Sequence, residues 1–208
     1  MGYYSVDKIY RKKDWSNKVW QMVKDIYIGY CPTKGSAPDM CYLIKKYNEP
    51  HIVVKVFYKY RCSTPLHYKH PEFTCAIWQN HLFIGMCEEN EYVCFINMET
   101  FAISNILIDG YFDGFYEVGN KLLIASSSRL YCLDDNCSLV WETKDIACDG
   151  VIVRGYEDGY LYVHGENDPP GGWVEFKVEF STGKVVEWEW VVTEDYKGLL
   201  RGSLCWGD

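Results

Sequence analysis

The sequence contains no uninterrupted apolar run near the ~18 residues that a membrane-crossing helix needs, so no membrane span is expected. It is also short of positive charge. With 21 Lys and Arg against 29 Asp and Glu, the formal net charge is −8. Such a surface has few cations to replace the counterions of a phosphate backbone, which argues against nucleic-acid binding and suits a basic protein partner. Histidine is scarce. His51, His67, His70, His81 and His164 fall in no recognisable nucleophile or metal motif. No Gly-rich phosphate loop follows a strand and opens a helix. Carboxylates are plentiful but lie mostly in turns. The sequence therefore points to no catalytic residue and no cofactor, and the chain reads as non-enzymatic. Paired acids of the glycosidase type are defined by distance rather than by sequence and stay open.

The segment MGYYSVDKIYRKKDW has charges where a signal peptide needs an apolar core, so a cytoplasmic location is expected. In a reducing compartment, cysteines 31, 41, 62, 75, 87, 94, 132, 137, 148 and 205 read as small buried hydrophobes rather than a disulfide framework. Cys94 and Cys132, inside apolar runs, fit this best.

What the chain does have is apolar and aromatic residues in short, evenly spaced runs. At 48% hydrophobic and 17% aromatic it is globular and suited to half-buried pleated surfaces. Residues 115–143 read as two hairpins in tandem, and the pattern recurs. Ile26-Tyr27-Ile28-Gly29, Leu82-Phe83-Ile84-Gly85, Leu122-Leu123-Ile124-Ala125 and Leu161-Tyr162-Val163-His164 align as one strand of the unit. A second hairpin follows each of them. This gives four units, at 19–57, 76–108, 115–143 and 150–188, with a period of roughly 40–55 residues, the range of repeat arrays and propeller blades. One hairpin pair cannot bury both of its faces, so the units must stack on one another. The expected fold is mainly β: four propeller-like antiparallel units in a single domain, either a small closed propeller or an open stack.

Segment 1–18 is expected to precede the first unit as a short helix or coil, with β structure from about Val19. Residues 189–208 are expected to hold further strands. Asp158-Gly159 and Ser181-Thr182-Gly183 supply the positive φ of tight turns. Asp109-Gly110, Asp113-Gly114 and Asp149-Gly150 read as turns between units, not as catalytic acids. Trp78, Trp141, Trp188 and Trp190 read as inter-sheet packing.

Arg129-Leu130-Tyr131-Cys132-Leu133-Asp134 followed by Leu139-Val140-Trp141-Glu142 resembles the repeat of quinoprotein-like β-propellers, and Phe176 to Trp188 looks like the same element. The resemblance covers residues 75–190 at most. It implies blade-like sheets, but no cofactor-binding pattern accompanies it. By size, charge and composition the chain is also similar in general type to small bacterial toxin-immunity proteins.

Two constellations stand out. The stretch His164-Gly165-Glu166-Asn167-Asp168-Pro169-Pro170-Gly171-Gly172-Trp173 reads as a shaped loop inserted between two hairpins. Within it His164, Glu166, Asp168 and Trp173 are the candidate partner-binding residues, the alternative being a connective loop with Trp173 folded onto the sheet. Cys62, His67, His70 and Cys75 have ligand chemistry suited to zinc, but not a usual spacing, and read as part of a linker rather than a metal site.

The leading functional reading is an immunity protein that neutralises a basic bacterial toxin by direct binding. A ligand-binding or glycan-hydrolysing propeller and a self-associating scaffold are the alternatives.

Overall fold

In the computed structural model of the chain, residues 4–9, 24–29, 38, 40–57, 75–85, 92–168 and 172–190 are described. Their regular structure is all strand. The first sheet holds β1 (Tyr4–Ile9), β2 (Lys24–Gly29), β3 (Met40–Lys46) and β4 (Glu49–Phe57). The second holds β5 (Cys75–Trp78), β6 (His81–Gly85), β7 (Tyr92–Asn97) and β8 (Ile103–Leu107). The third holds β9 (Phe112–Val118), β10 (Lys121–Ser126), β11 (Leu130–Leu133) and β12 (Leu139–Glu142). The fourth holds β13 (Val151–Glu157), β14 (Tyr160–Asp168), β15 (Gly172–Glu179) and β16 (Lys184–Trp190).

The last three sheets are antiparallel meanders in which each strand pairs with the next in sequence. Tight turns set their register. Asp158 and Gly159 have φ of 50° and 84° between β13 and β14. In the first sheet, Tyr47 and Asn48 have φ of 52° and 66° between β3 and β4. Two successive positive φ values match the twist of a two-residue hairpin.

The first sheet departs from the expected unit in two ways. Its strand order is β1-β3-β4-β2, and β1 comes from the segment expected to precede the repeat as helix or coil. In addition, β2 pairs with β4 in parallel rather than with β3. Because β1 takes the free edge of β3, the open ladder left is that of β4. There Ile26 and Ile28 sit opposite Val54 and Val56, and all four enter one core. The expectation for residues 10–23 and that for 191–208 lie outside the described residues.

Three apolar cores join the sheets in order. Tyr42, Ile44, Val54 and Val56 of the first sheet pack on Leu82, Ile84, Cys94 and Ile96 of the second. Trp78, Phe83 and Val93 pack on Phe112, Leu122, Ile124 and Leu133 of the third. Leu123, Ala125, Leu130 and Cys132 on the third sheet's other face pack on Val151, Val153, Leu161, Val163 and Val178 of the fourth. The third sheet is thus buried on both faces, which is why β10 reads as continuous apolar sequence rather than as an alternation. Among the described residues no core joins the fourth sheet back to the first, so the four sheets form an open stack.

The tryptophans divide. Trp78 and Trp141 are buried between sheets, as expected. Trp188 and Trp190 are instead 64% and 61% exposed. They lie on β16, the outermost strand of the fourth sheet. The third sheet reaches only the turn end of that strand: the Trp141 indole packs beside Gly183, and its Nε1–H donates to the Phe180 carbonyl at 2.8 Å. The far end of β16 extends past that cover.

Candidate functional site

The two flanks of the stretch expected to be a shaped loop form a ladder, and residues 169–171 between them lie outside the described residues. His164 pairs with Glu175, Gly165 with Val174, Glu166 with Trp173 and Asp168 with Gly172, with a bulge between Glu166 and Asp168. It therefore lengthens the β14–β15 hairpin. Cross-strand register fixes which side chains share a face. Gly165 and Val174 continue the face of Leu161, Val163 and Val178, which packs on the third sheet. His164, Glu166, Trp173 and Glu175 share the opposite face, and the β15–β16 register adds Lys177, Glu187 and Glu189 to it. The structure thus brings candidates His164, Glu166 and Trp173 onto one outer face. Asp168 lies at the hairpin end, beyond the bulge.

His164 is buried, and its Nε2 lies 2.8 Å from Glu175 Oε2. Burial holds its imidazole below the usual range, against the opposing pull of Glu175. A neutral ring donating one N–H orients Glu175, so His164 braces the face rather than making a charged contact. Across the ladder Glu175 sits directly opposite Glu189. This like-charge pair disfavours the sheet by itself. Lys177 Nζ reaches Glu187 at 3.4 Å and lies 4.7 Å from the centre of the Tyr160 ring. The outer face is therefore acidic with interspersed aromatics.

An acidic cluster that sequence patterns concealed lies where the third sheet meets the fourth, near Glu166. Asp113 was expected in a turn. It lies instead within β9, and its Oδ2 accepts the Val151 amide at 2.9 Å, tying the third sheet to the fourth. Burial, reinforced by the charges of Asp149 and Glu166, pushes its carboxyl up to about 6. The Tyr111 hydroxyl donates to the Asp149 carbonyl at 2.6 Å and approaches its carboxylate at 2.9 Å. Burial and that carboxylate raise the phenol well above its usual range. A Cβ built on Gly150 would lie 3.6 Å from Asp113 Oδ2 and 3.8 Å from Trp173 Cη2. Those are ordinary contact distances, so it is the φ of 152°, not space, that favours glycine at position 150. The signal in the sequence was the Asp-Gly pair, which a turn explains equally well.

A second grouping unites residues 81, 97 and 137. Asp134 Oδ1 accepts the amides of Asn136 and Ser138, which folds the β11–β12 turn so that Cys137 takes a φ of 60°. Cys137 Sγ then lies 3.3 Å from His81 Nδ1, and Asn97 Nδ2 lies 3.2 Å from His81 Nε2. Asn97 Oδ1 accepts the amides of Glu99 and Thr100, so its nitrogen faces the ring and donates. Nε2 is then the acceptor, and the ring proton sits on Nδ1, pointing at sulfur. Burial pushes the Cys137 thiol up to about 11 and the His81 ring below its usual range. Those shifts favour neutral thiol and neutral imidazole, the reverse of an activated nucleophile.

Cys62, His67 and His70 lie outside the described residues; Cys75 is half-buried in β5 against the first core. Among the described residues no three of His, Cys, Asp and Glu come together in a way that could hold a metal ion. The described cysteines are all free thiols. Cys94 and Cys132 are buried, as expected, and Cys148 is exposed.

Neither a protein-family model nor a curated protein matches the chain. Solved structures do. BamB from Moraxella catarrhalis is 14% identical with a TM-score of 0.39, over 55% of this chain and 34% of BamB. The Pan2 WD40 domain of Neurospora crassa is 15% identical with a TM-score of 0.44, over 64% of this chain and 42% of that domain. The computationally designed Ika4 protein is 7% identical with a TM-score of 0.42, over 62% of this chain and 74% of Ika4. The chain thus spans about a third of BamB and under half of the Pan2 domain. Each likeness is partial, and the description of this chain as a row of blade-like units stands on its own four successive four-stranded sheets.

Proposed function

We propose that the chain is a non-enzymatic protein-binding module whose contact surface is the outer face of the fourth sheet. The observation that carries this reading is the concentration of Glu166, Glu175, Glu187 and Glu189 with Trp173 on one face of the last sheet in an open stack. Aromatic residues supply contact area, and clustered carboxylates steer a basic partner toward it. A basic toxin domain fits this chemistry, which makes an immunity protein the specific form of the reading. The net charge of −8 supports it. The test is co-expression with the product of the adjoining gene. The native chain is expected to protect cells and to co-purify with that product, whereas Glu166→Lys combined with Trp173→Ala loses both. Equal protection by the variant, or none by the native chain, refutes the reading.

A second reading is favoured by one observation. Asp113, held near a pKa of about 6, lies close to Asp149, Glu166 and the edge of Trp173. A carboxyl raised well above the usual range, a nearby carboxylate and a flanking indole are the parts of a glycoside-hydrolysing site. Turnover of chromogenic glycosides that disappears in Asp113→Asn supports this reading; no turnover by the native chain removes it.

A further inference from the structure

The outermost strand of the fourth sheet, β16, reads Lys184-Val185-Val186-Glu187-Trp188-Glu189-Trp190. It pairs with β15, and among the described residues no strand pairs with its other edge. Val186, Trp188 and Trp190 are 42%, 64% and 61% exposed. Proteins ordinarily blunt such an edge with lysine, proline or a covering segment, because unpaired N–H and C=O groups template a further strand. Here tryptophan and glutamate alternate along it. The other outer strands differ: β8 carries Ser104 and Asn105 between its exposed apolar residues, and β12 is only four residues long.

We infer that β16 is the docking edge for an extended segment of a partner protein with Lys or Arg at every second position. This deepens the protein-binding reading and rests on it. The register supplies the chemistry. Glu187 and Glu189 share the outer face, and Trp188 and Trp190 share the inner one, opposite Phe176 and Val174. Glu189 faces Glu175, whose carboxylate is already engaged by His164, so a cation on an added strand relieves a like-charge pair. Intervening apolar side chains on the same strand lie against the two indoles. Main-chain hydrogen bonds supply the affinity and the alternating faces supply the selectivity. A second copy of the chain is a poor occupant. In the registers that pair the Glu187–Trp190 half of β16 with its copy, glutamate is set against glutamate.

The probes are two short synthetic peptides, one alternating Lys and Val and one alternating Glu and Val, titrated into the full chain. Amide exchange and tryptophan fluorescence are the readouts. The Lys–Val peptide is expected to bind, to protect β16 amides and to shift the emission of Trp188 and Trp190, while the Glu–Val peptide does not bind. Glu187→Lys with Glu189→Lys, both exposed positions, is expected to weaken the Lys–Val peptide by about tenfold or more and to admit the Glu–Val peptide. Binding unaffected by the reversal, protection appearing on another strand, no binding by either peptide, or a β16-dependent dimer of the free chain each overturns the inference. If a captured partner is lost by Glu166→Lys with Trp173→Ala but kept by the β16 reversal, the protein-binding reading stands and the β16 inference falls.

Discussion

Asp113 shows how much one side chain can owe to its surroundings. As part of an Asp-Gly pair it is indistinguishable from the turn residues Asp109 and Asp158, and only its place in β9 makes it a junction between two sheets. Its carboxyl rises from 3.8 to about 6, chiefly through burial. The folded-state value lies above the unfolded one, so the stabilising form is the protonated acid. The contribution is complete below pH 3.8, declines as pH rises toward about 6, and is gone above that. A shift of this size corresponds to roughly 2–3 kcal/mol. Asp113→Asn keeps an oxygen to accept the Val151 amide and carries no charge. It is therefore expected to be more stable than the native chain at pH 7, by about 1–3 kcal/mol, and to match it near pH 4. Urea unfolding at both values checks this, and an equal offset at the two contradicts it. Cys137, His81 and Asn97 were equally hidden, since no sequence spacing links positions 81, 97 and 137. Trp188 and Trp190 depart from the inter-sheet packing expected of them because a tryptophan in a strand pattern carries no mark of whether a neighbouring sheet reaches it.

Among elements, the strands easiest to read were those buried on both faces, such as Leu122–Ala125 and Leu130–Leu133, where apolar runs are short and bounded by turn residues. Hairpins closed by Asp158-Gly159 or Ser181-Thr182-Gly183 were legible for the same local reason. Pairing partners were not. Nothing in Lys24–Gly29 says that β2 runs parallel to β4, because that choice depends on β1 occupying β3. The β14–β15 hairpin was hidden differently: Pro169-Pro170-Gly171-Gly172 looks like an irregular insertion, yet the ladder runs up to it from both sides. Gly165 gives that ladder a test. A Cβ there would lie 2.3 Å from the Ile146 carbonyl oxygen and 3.0 Å from Ala147 Cβ. Neither neighbour can easily yield. The Ile146 amide donates to the Ser128 carbonyl at 2.9 Å, and its own carbonyl accepts Asn167 Nδ2 at 3.0 Å. Gly165→Ala is expected to cost about 2–3 kcal/mol by forcing the third and fourth sheets apart, measured as a lowered unfolding midpoint. A cost near zero means the segment at Ile146 moves freely.

In the molecule as a whole, stability follows from the order of the sheets. In a stack where each unit touches only its neighbours, the interfaces of a unit set its resistance to opening. The third sheet takes part in two cores, through Leu122, Ile124 and Leu133 on one side and Leu123, Ala125 and Cys132 on the other. The fourth sheet packs one face on the third, and its outer face carries Glu166, Glu175, Lys177 and Glu187. No described core returns from it to the first sheet, so the closure that would equalise the units of a ring is absent among the described residues. Amide exchange should therefore be graded rather than uniform. The amides of β10 and β11, with those of β6 and β7, which also lie between two cores, are expected to exchange slowest, at rates approaching global unfolding. Those of β14 and β15 should be intermediate and those of β16 fastest. A bound partner strand would move β16 toward β15 and leave β10 and β11 unchanged. If β16 in the free chain is as protected as β10, its outer edge is already covered and cannot take up a partner strand.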